Sequence, residues 1–238
     1  MQKRCIHCLK TSDKITRDHV FPKSWYPEST PATTQRLTAP SCFDCNNTSG
    51  EIEKKLFCRL IPCISPEKQA IWGLRERFSR SLGIGISNGE LPSEELLARK
   101  KLAVELYNEL KPYTAGAQTF PGFGPHAGYP PETQMGIRIP GPELIAVSKK
   151  IVRGLEYVLN KKRYIEPPYE LDVYFVEEGN NIAQVYTLLS THGTKKEQGP
   201  GFTVERVAAT TGTFSVIYRI IIWDTLVVYA SIMTPDPD

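Results

Sequence analysis

The chain lacks a long hydrophobic run free of charge. Its most apolar stretch, Phe214 to Met233, carries Arg219 and Asp224, so it falls short of the ~20 apolar residues a membrane span needs and reads better as buried strands. No apolar segment stands behind the basic start MQKRCIHC, which argues against a secretory signal and gives the expectation of a cytoplasmic protein with no membrane partner. Charge of one sign is also scarce. The net charge is only +3, too little to imply a nucleic-acid partner by itself. There is neither an internal repeat nor a low-complexity tract, and 40% hydrophobic with 23% charged residues is ordinary globular composition, which excludes a disordered or fibrous chain. At 238 residues the protein has room for one large domain or two modest ones, and either buries a sizeable core.

What charge there is collects at one end. Residues 1–60 hold ten Lys and Arg against six Asp and Glu, an excess of four, so the remainder of a +3 chain is left at −1. The same segment is dense in Cys, His, Asn and turn residues. Six cysteines in a chain of this size do not resemble a secreted disulfide scaffold, and four of them form the pairs Cys5-x-x-Cys8 and Cys42-x-x-Cys45. Two such knuckles converging on one point offer four thiolates, the complete tetrahedral shell of a structural Zn²⁺. A shell closed by sulfur has no open position for water, so this zinc staples a module and does no catalysis. Cys58 and Cys63 read as ordinary buried thiols, and His7, between two zinc cysteines, as a support of the knuckle or a solvent-facing residue.

Further along, Pro62 and Pro66 interrupt the helix that follows Cys45. Ile71, Leu74, Phe78 and Leu82 form one helical stripe, with Arg77 and Arg80 on the far side. A second amphipathic helix begins near Ser93, taken as its N-cap, and buries Leu96, Ala103, Leu106, Tyr107 and Leu110. Residues 112–142 hold seven prolines and several glycines and read as a linker or long irregular connection. Its FPGFGPHAG contains a G-x-G, but no helix follows to hold a phosphate. A third helix, opened by Pro142, aligns Leu144, Val147, Ile151, Leu155 and Val158. Thereafter β-branched and aromatic runs at Leu171–Val176, Ile182–Leu189, Phe202–Ala208, Thr213–Ile222 and Thr225–Met233 predict an antiparallel sheet, with turns at Gly179-Asn180-Asn181, Gly199-Pro200-Gly201 and Thr211-Gly212. The fold class is α+β: a zinc-stapled unit over 1–62, helices over 63–111, the Pro/Gly-rich connection, and an α+β unit over 143–238. The aromatic residues Tyr174, Phe175, Tyr186, Phe202, Phe214, Tyr218, Trp223 and Tyr229 are expected on strands, as core.

Inside the stapled loop, TRDHVFPKSW puts Asp18 beside His19 on a short Pro-ended strand, where neighbouring side chains diverge. Asn46 and Asn47 follow Cys45 directly. The pattern RDHVFPKS followed by APSCFDCNN resembles the HNH, or His-Me finger, endonucleases, in the subgroup whose ββα-metal fold is held by four cysteines. The resemblance covers about Cys5 to Arg59, a quarter of the chain. It departs from the family name in having no Asn between His19 and Cys42, and Asn46 where the final His would stand.

What the resemblance implies agrees with the bare chemistry of these residue types. Asp18 and Asn46 are hard oxygen ligands for a catalytic Mg²⁺ or Mn²⁺ that keeps most of its waters, and Asn47 is an alternative to Asn46, either as ligand or as a helix cap. His19 becomes the general base that takes a proton from the attacking water, leaving 5′-phosphate and 3′-hydroxyl ends. Arg17 and Lys23 flank the pair as phosphate contacts. Thr48 and Glu51 fit a capping box for a helix whose Lys54, Lys55 and Arg59 are further phosphate contacts. The expected partner is DNA, and a homodimer is one way to cut both strands. Two other classes stay open: a zinc-ribbon nucleic-acid-binding module that does not cut, and a purely structural zinc domain, which leaves the polar pair unexplained.

Overall fold

The structure, a computed structural model, describes residues 4–65, 67–68, 71–86, 92–114, 118–126, 129–176, 180–208 and 216–233. Gly179, the Thr211-Gly212 turn and Phe214, all singled out in the sequence, lie outside the described residues, as does Pro66.

The N-terminal unit is a hairpin followed without a linker by a helix. Strand β1 (Ile15–His19) pairs antiparallel with β2 (Thr38–Cys42), bringing Asp18 opposite Ala39 and His19 opposite Thr38. Helix α1 (Phe43–Leu60) begins at the next residue, with Cys42 as its N-cap, and gives way at Ile61 to a 3₁₀ turn containing Pro62. Because α1 starts at Phe43, Thr48 and Glu51 lie in its interior, so the expected capping box does not form, and Asn47 is interior too. The backbone N–H of Ile6 donates to Pro40 O at 3.0 Å, laying the first cysteine knuckle along the other edge of β2.

Helix α2 (Leu74–Ser81) carries the expected stripe, with Ile71, Leu74 and Leu82 buried and Phe78 packed against the core. Arg77 does not project freely, since its guanidinium donates to Ser24 O and Tyr26 O. Helix α3 (Ser93–Glu109) has Pro92 as N-cap and Ser93 as first helical residue, with no capping bond from a side chain. Leu102 and Leu106 are its buried positions, whereas Tyr107, expected inside, is 75% exposed. A helix that buries only a narrow seam against its neighbours leaves the flank of that seam in water.

Between α3 and helix α4 (Gly141–Leu159) the Pro/Gly-rich segment is mostly irregular, closed by the two-residue strands β3 (Lys111–Pro112) and β4 (Met135–Gly136). Its Phe123 enters the core and Phe120, Ile137 and Ile139 pack against it. In α4, Leu144, Val147, Ile151 and Leu155 are buried as the spacing predicts, and Pro142 sits in its first turn.

The C-terminal part is a five-stranded antiparallel sheet in the order β5-β9-β8-β7-β6, formed by β5 (Glu170–Tyr174), β6 (Thr194–Glu197), β7 (Phe202–Ala208), β8 (Val216–Ile222) and β9 (Leu226–Met233). The expected strand Ile182–Leu189 is instead helix α5 (Asn180–His192). Leu189 is buried and Ile182 and Val185 are half-buried, whereas Tyr186 and Leu188 are exposed; the period of three to four residues, set by packing on β7 and β8, overrides the strand preference of the individual residues. Tyr186 is therefore a helical surface residue, and Trp223 a turn residue, where strands were expected. One face of the sheet meets α4, the other α5. On the α4 face, Tyr218 Oη and the Arg206 guanidinium both bind the fully buried Glu156.

A single apolar core joins the two ends of the chain. Phe21 stacks on Phe202 at 4.8 Å between ring centroids, Tyr26 on the same ring at 4.7 Å, and Trp25 on Trp223 at 4.8 Å. The Trp223 indole N–H donates to Trp25 O at 2.8 Å, so this contact is fixed in direction as well as in area. No helix among the described residues is long and apolar enough to cross a membrane.

Candidate metal centre and polar cluster

Two of the four cysteines lie in the knuckle before β1, one ends β2 and one is in the first turn of α1. Their Sγ atoms all lie within 4.8 Å of one another, and Cys8 Sγ is 3.8 Å from Cys42 Sγ. Zn–S bonds of about 2.3 Å require S···S separations of roughly 3.8 Å in a tetrahedron; the four cysteines could therefore hold a zinc ion. Their acidities point the same way. Burial pushes the Cys5 thiol up, but hydrogen bonds from backbone groups of Cys42, Cys8 and His7 together outweigh it and bring it down to about 7. Cys45 moves the other way, pushed up by burial and by the neighbouring sulfurs. Thiolates this close repel one another, and a bound cation offsets that repulsion.

On β1, alternation sends Thr16 and Asp18 to one face and Arg17 and His19 to the other. Asn46, in the first turn of α1, donates from Nδ2 to Thr16 Oγ1 at 2.9 Å, which puts it on the Asp18 face of the strand and leaves its carbonyl oxygen as an acceptor. Asp18 is 7% exposed. Its Oδ1 takes the Lys150 ammonium of α4 at 3.0 Å, and its Oδ2 lies 3.5 Å from His7 Nε2. Burial pushes the Asp18 carboxyl up, but His7 and Lys150 outweigh it and hold it below the ordinary carboxylate range.

Lys150 is itself only 4% exposed and reaches three oxygens of the hairpin-helix unit: Asp18 Oδ1, His19 O at 2.8 Å, and Glu53 Oε1. Burial raises the Glu53 carboxyl against the pull of the ammonium. His19 is half-buried at the end of β1: burial lowers its pKa below the ordinary imidazole value, and Lys23, Arg36 and Lys150 lower it further against the opposing charge of Asp18. Its Nδ1 is buried without a hydrogen-bond partner.

The sequence-derived residues thus fall into two groups. Asp18 and Asn46 share a face of β1; His19, with Lys23 and Arg36 close enough to depress its pKa, occupies the other. Arg17 and Lys23 are exposed beside the pair, as are Lys54 and Lys55 on α1, though none of the described interactions links those two lysines to His19. Arg59 is taken by Glu109, at 2.6 Å from Nη2 to Oε1, and is not free for a phosphate. Cys58 and Cys63 are buried and half-buried thiols, each pushed up by burial to about 11. Lys150, Glu53 and Arg36 were missed by sequence reasoning, and His7 was not connected with Asp18. A trace of Lys150 is present: it shares a helical face with Val147 and Gly154, positions three before and four after it.

A cleft of about 1630 Å³ between Cys63, Tyr113, Phe123 and Arg138 includes none of Asp18, His19 and Asn46. Comparison with protein-family models, with curated proteins and with solved structures returns no match.

Proposed function

We propose that the protein is a metal-dependent HNH-type endonuclease that hydrolyses phosphodiester bonds of DNA. The observation that carries this reading is the contact of Asn46, at the start of α1 next to Cys45, with Thr16, two residues from Asp18 on the same face of β1. Asp18 and Asn46, residue types that a hard cation takes as oxygen ligands, thus come from a strand and a helix that a zinc ion would lock together.

Cys5, Cys8, Cys42 and Cys45 would hold structural Zn²⁺, and Asp18 with Asn46 would hold Mg²⁺ or Mn²⁺. The divalent ion, when bound, neutralises charge growing on the leaving oxygen. His19 accepts the proton of the attacking water, whose oxygen then bonds to phosphorus as the bond from phosphorus to the 3′ oxygen breaks. A base must be unprotonated to act, and the downward shift of the His19 pKa favours that form. Arg17 and Lys23 contact the phosphates on either side.

A second reading, a zinc-ribbon nucleic-acid-binding module that does not cut, is favoured by one observation: Asp18 is buried and already ion-paired to Lys150. Plasmid incubated with Mg²⁺ or Mn²⁺, with and without EDTA, separates the two. The nuclease reading expects nicking that needs the added ion and that His19→Ala lowers by at least a hundredfold, general-base removal costing about 10²–10⁴, while zinc content stays constant. Retardation of DNA without nicking, under every divalent ion, would establish the second.

A further inference from the structure

We propose that the Lys150 ammonium is a tethered cation seated in an oxygen-lined site for a hard divalent ion, so that Lys150 and such an ion compete for the carboxylates of Asp18 and Glu53. The proposal deepens the nuclease reading, resting on its assignment of Asp18 as an oxygen ligand, and identifies what regulates ion binding there.

The ammonium donates to His19 O at 2.8 Å and to Glu53 Oε1, and is ion-paired with Asp18 Oδ1 at 3.0 Å. Carboxylate, carboxylate and backbone carbonyl are the ligand types that Ca²⁺ and Mg²⁺ take from proteins, at 2.0–2.6 Å, so a modest contraction around a smaller and more highly charged centre satisfies them. Charge is not balanced by the lysine. Two carboxylates face one ammonium, and the second oxygen of Asp18, on a residue 93% removed from solvent, has the His7 imidazole as its partner, 3.5 Å away at Nε2. Two buried carboxylates beside one ammonium leave an excess of negative charge that a divalent ion would offset more fully.

The position of Lys150 in the chain makes it a control point. It arrives from α4, outside the hairpin-helix unit, and α4 is seated against that unit so closely that a Cβ on Gly154 would come within 2.8 Å of Val20 Cγ2. The ammonium cannot leave without movement of its side chain out of a packed interface. A divalent ion that draws on Oδ1 or on Glu53 must displace it; one that binds through Oδ2 alone is repelled by it. Either way the lysine weakens the ion.

Calorimetric titration of the zinc-loaded full-length protein with Ca²⁺ and with Mg²⁺, hard ions that do not compete for thiolates, measures this directly. Lys150→Gln should bind at least tenfold more tightly than wild type, Lys150→Arg should show no such gain, and the Lys150→Gln, Asp18→Asn double variant should lose it. If Lys150→Gln is unfolded on purification, the proposal requires that Ca²⁺ or Mg²⁺ restore its cooperative melting transition, and failure to do so overturns it. Equal or weaker affinity in Lys150→Gln, no measurable binding in either protein, or an equal gain in Lys150→Arg also overturns it. Failure of the nuclease reading has a different signature: tight ion binding with plasmid left intact.

Discussion

At the residue scale, two positions do what their side-chain type would not suggest. Trp223 and Asp224, in the three-residue connection between β8 and β9, have φ of 54° and 52°, with Thr225 N–H donating to Ile222 O at 3.1 Å. Both lie in the left-handed region, which glycine adopts freely, and a residue with a Cβ pays about 1 kcal/mol or more to adopt it. Trp223 is retained by its stacking on Trp25, whereas Asp224 is exposed and contributes to Lys68 only through its backbone oxygen. Asp224→Gly should therefore raise the melting temperature by roughly 2–4 °C, the equivalent of about 1 kcal/mol in a chain of this size; an unchanged or lower melting temperature would show the turn to be unstrained. Tyr26 makes a prediction for pH. Burial pushes its hydroxyl up to about 12 from an ordinary value of 10. A raised folded pKa means that the unfolded chain ionises first, so the stabilisation is complete below pH 10 and is lost as pH climbs from 10 to 12. Chemical denaturation across that window should show stability falling in wild type and falling less steeply in Tyr26→Phe.

At the element scale, the site depends on α4 lying against the β1–β2 hairpin. Glycine is needed at 154 because the Val20 side chain occupies the space its Cβ would take, at 2.8 to 3.2 Å. Gly154→Ala gains helix propensity of about 1 kcal/mol but forces the helix off the hairpin, and overpacking of this kind costs about 1–3 kcal/mol. The expected result is net destabilisation by urea melting, relieved when Val20→Ala is added; a double-mutant cycle with no coupling would mean that the interface adjusts freely.

At the scale of the whole molecule, the stacking of Phe21, Trp25 and Tyr26 on Phe202 and Trp223 makes the N-terminal unit and the C-terminal sheet parts of one core. Loss of order at one end should then be felt at the other. Zinc held by Cys5, Cys8, Cys42 and Cys45 would stabilise the hairpin-helix junction, since structural zinc commonly contributes on the order of 10 kcal/mol of apparent binding energy. Scanning calorimetry of the zinc-loaded protein should give one transition, moved down by more than 10 °C after chelation or in Cys42→Ser. Two separate transitions, with only the lower one sensitive to chelator, would show that the two ends unfold independently.

Much of this architecture was legible in the chain because it rests on local chemistry. The paired C-x-x-C knuckles, the stripe Leu144, Val147, Ile151 and Leu155, and the strands Phe202–Ala208 and Thr225–Met233 follow from spacing and side-chain type, and the four-cysteine cluster and the α+β fold are as they imply. Where local signals conflict, as in Ile182–Leu189 with its β-branched residues on a helical period, burial against β7 and β8 decided the outcome. The surroundings of Asp18 could not be read at all. Lys150 and Glu53 stand 132 and 35 residues away from it in sequence, and whether an ammonium or water meets that carboxylate depends on how α4 crosses the hairpin. Residue type and spacing fix which groups are able to coordinate or ionise; only long-range packing sets which of them lose their water, and with it the strength of every charge they meet.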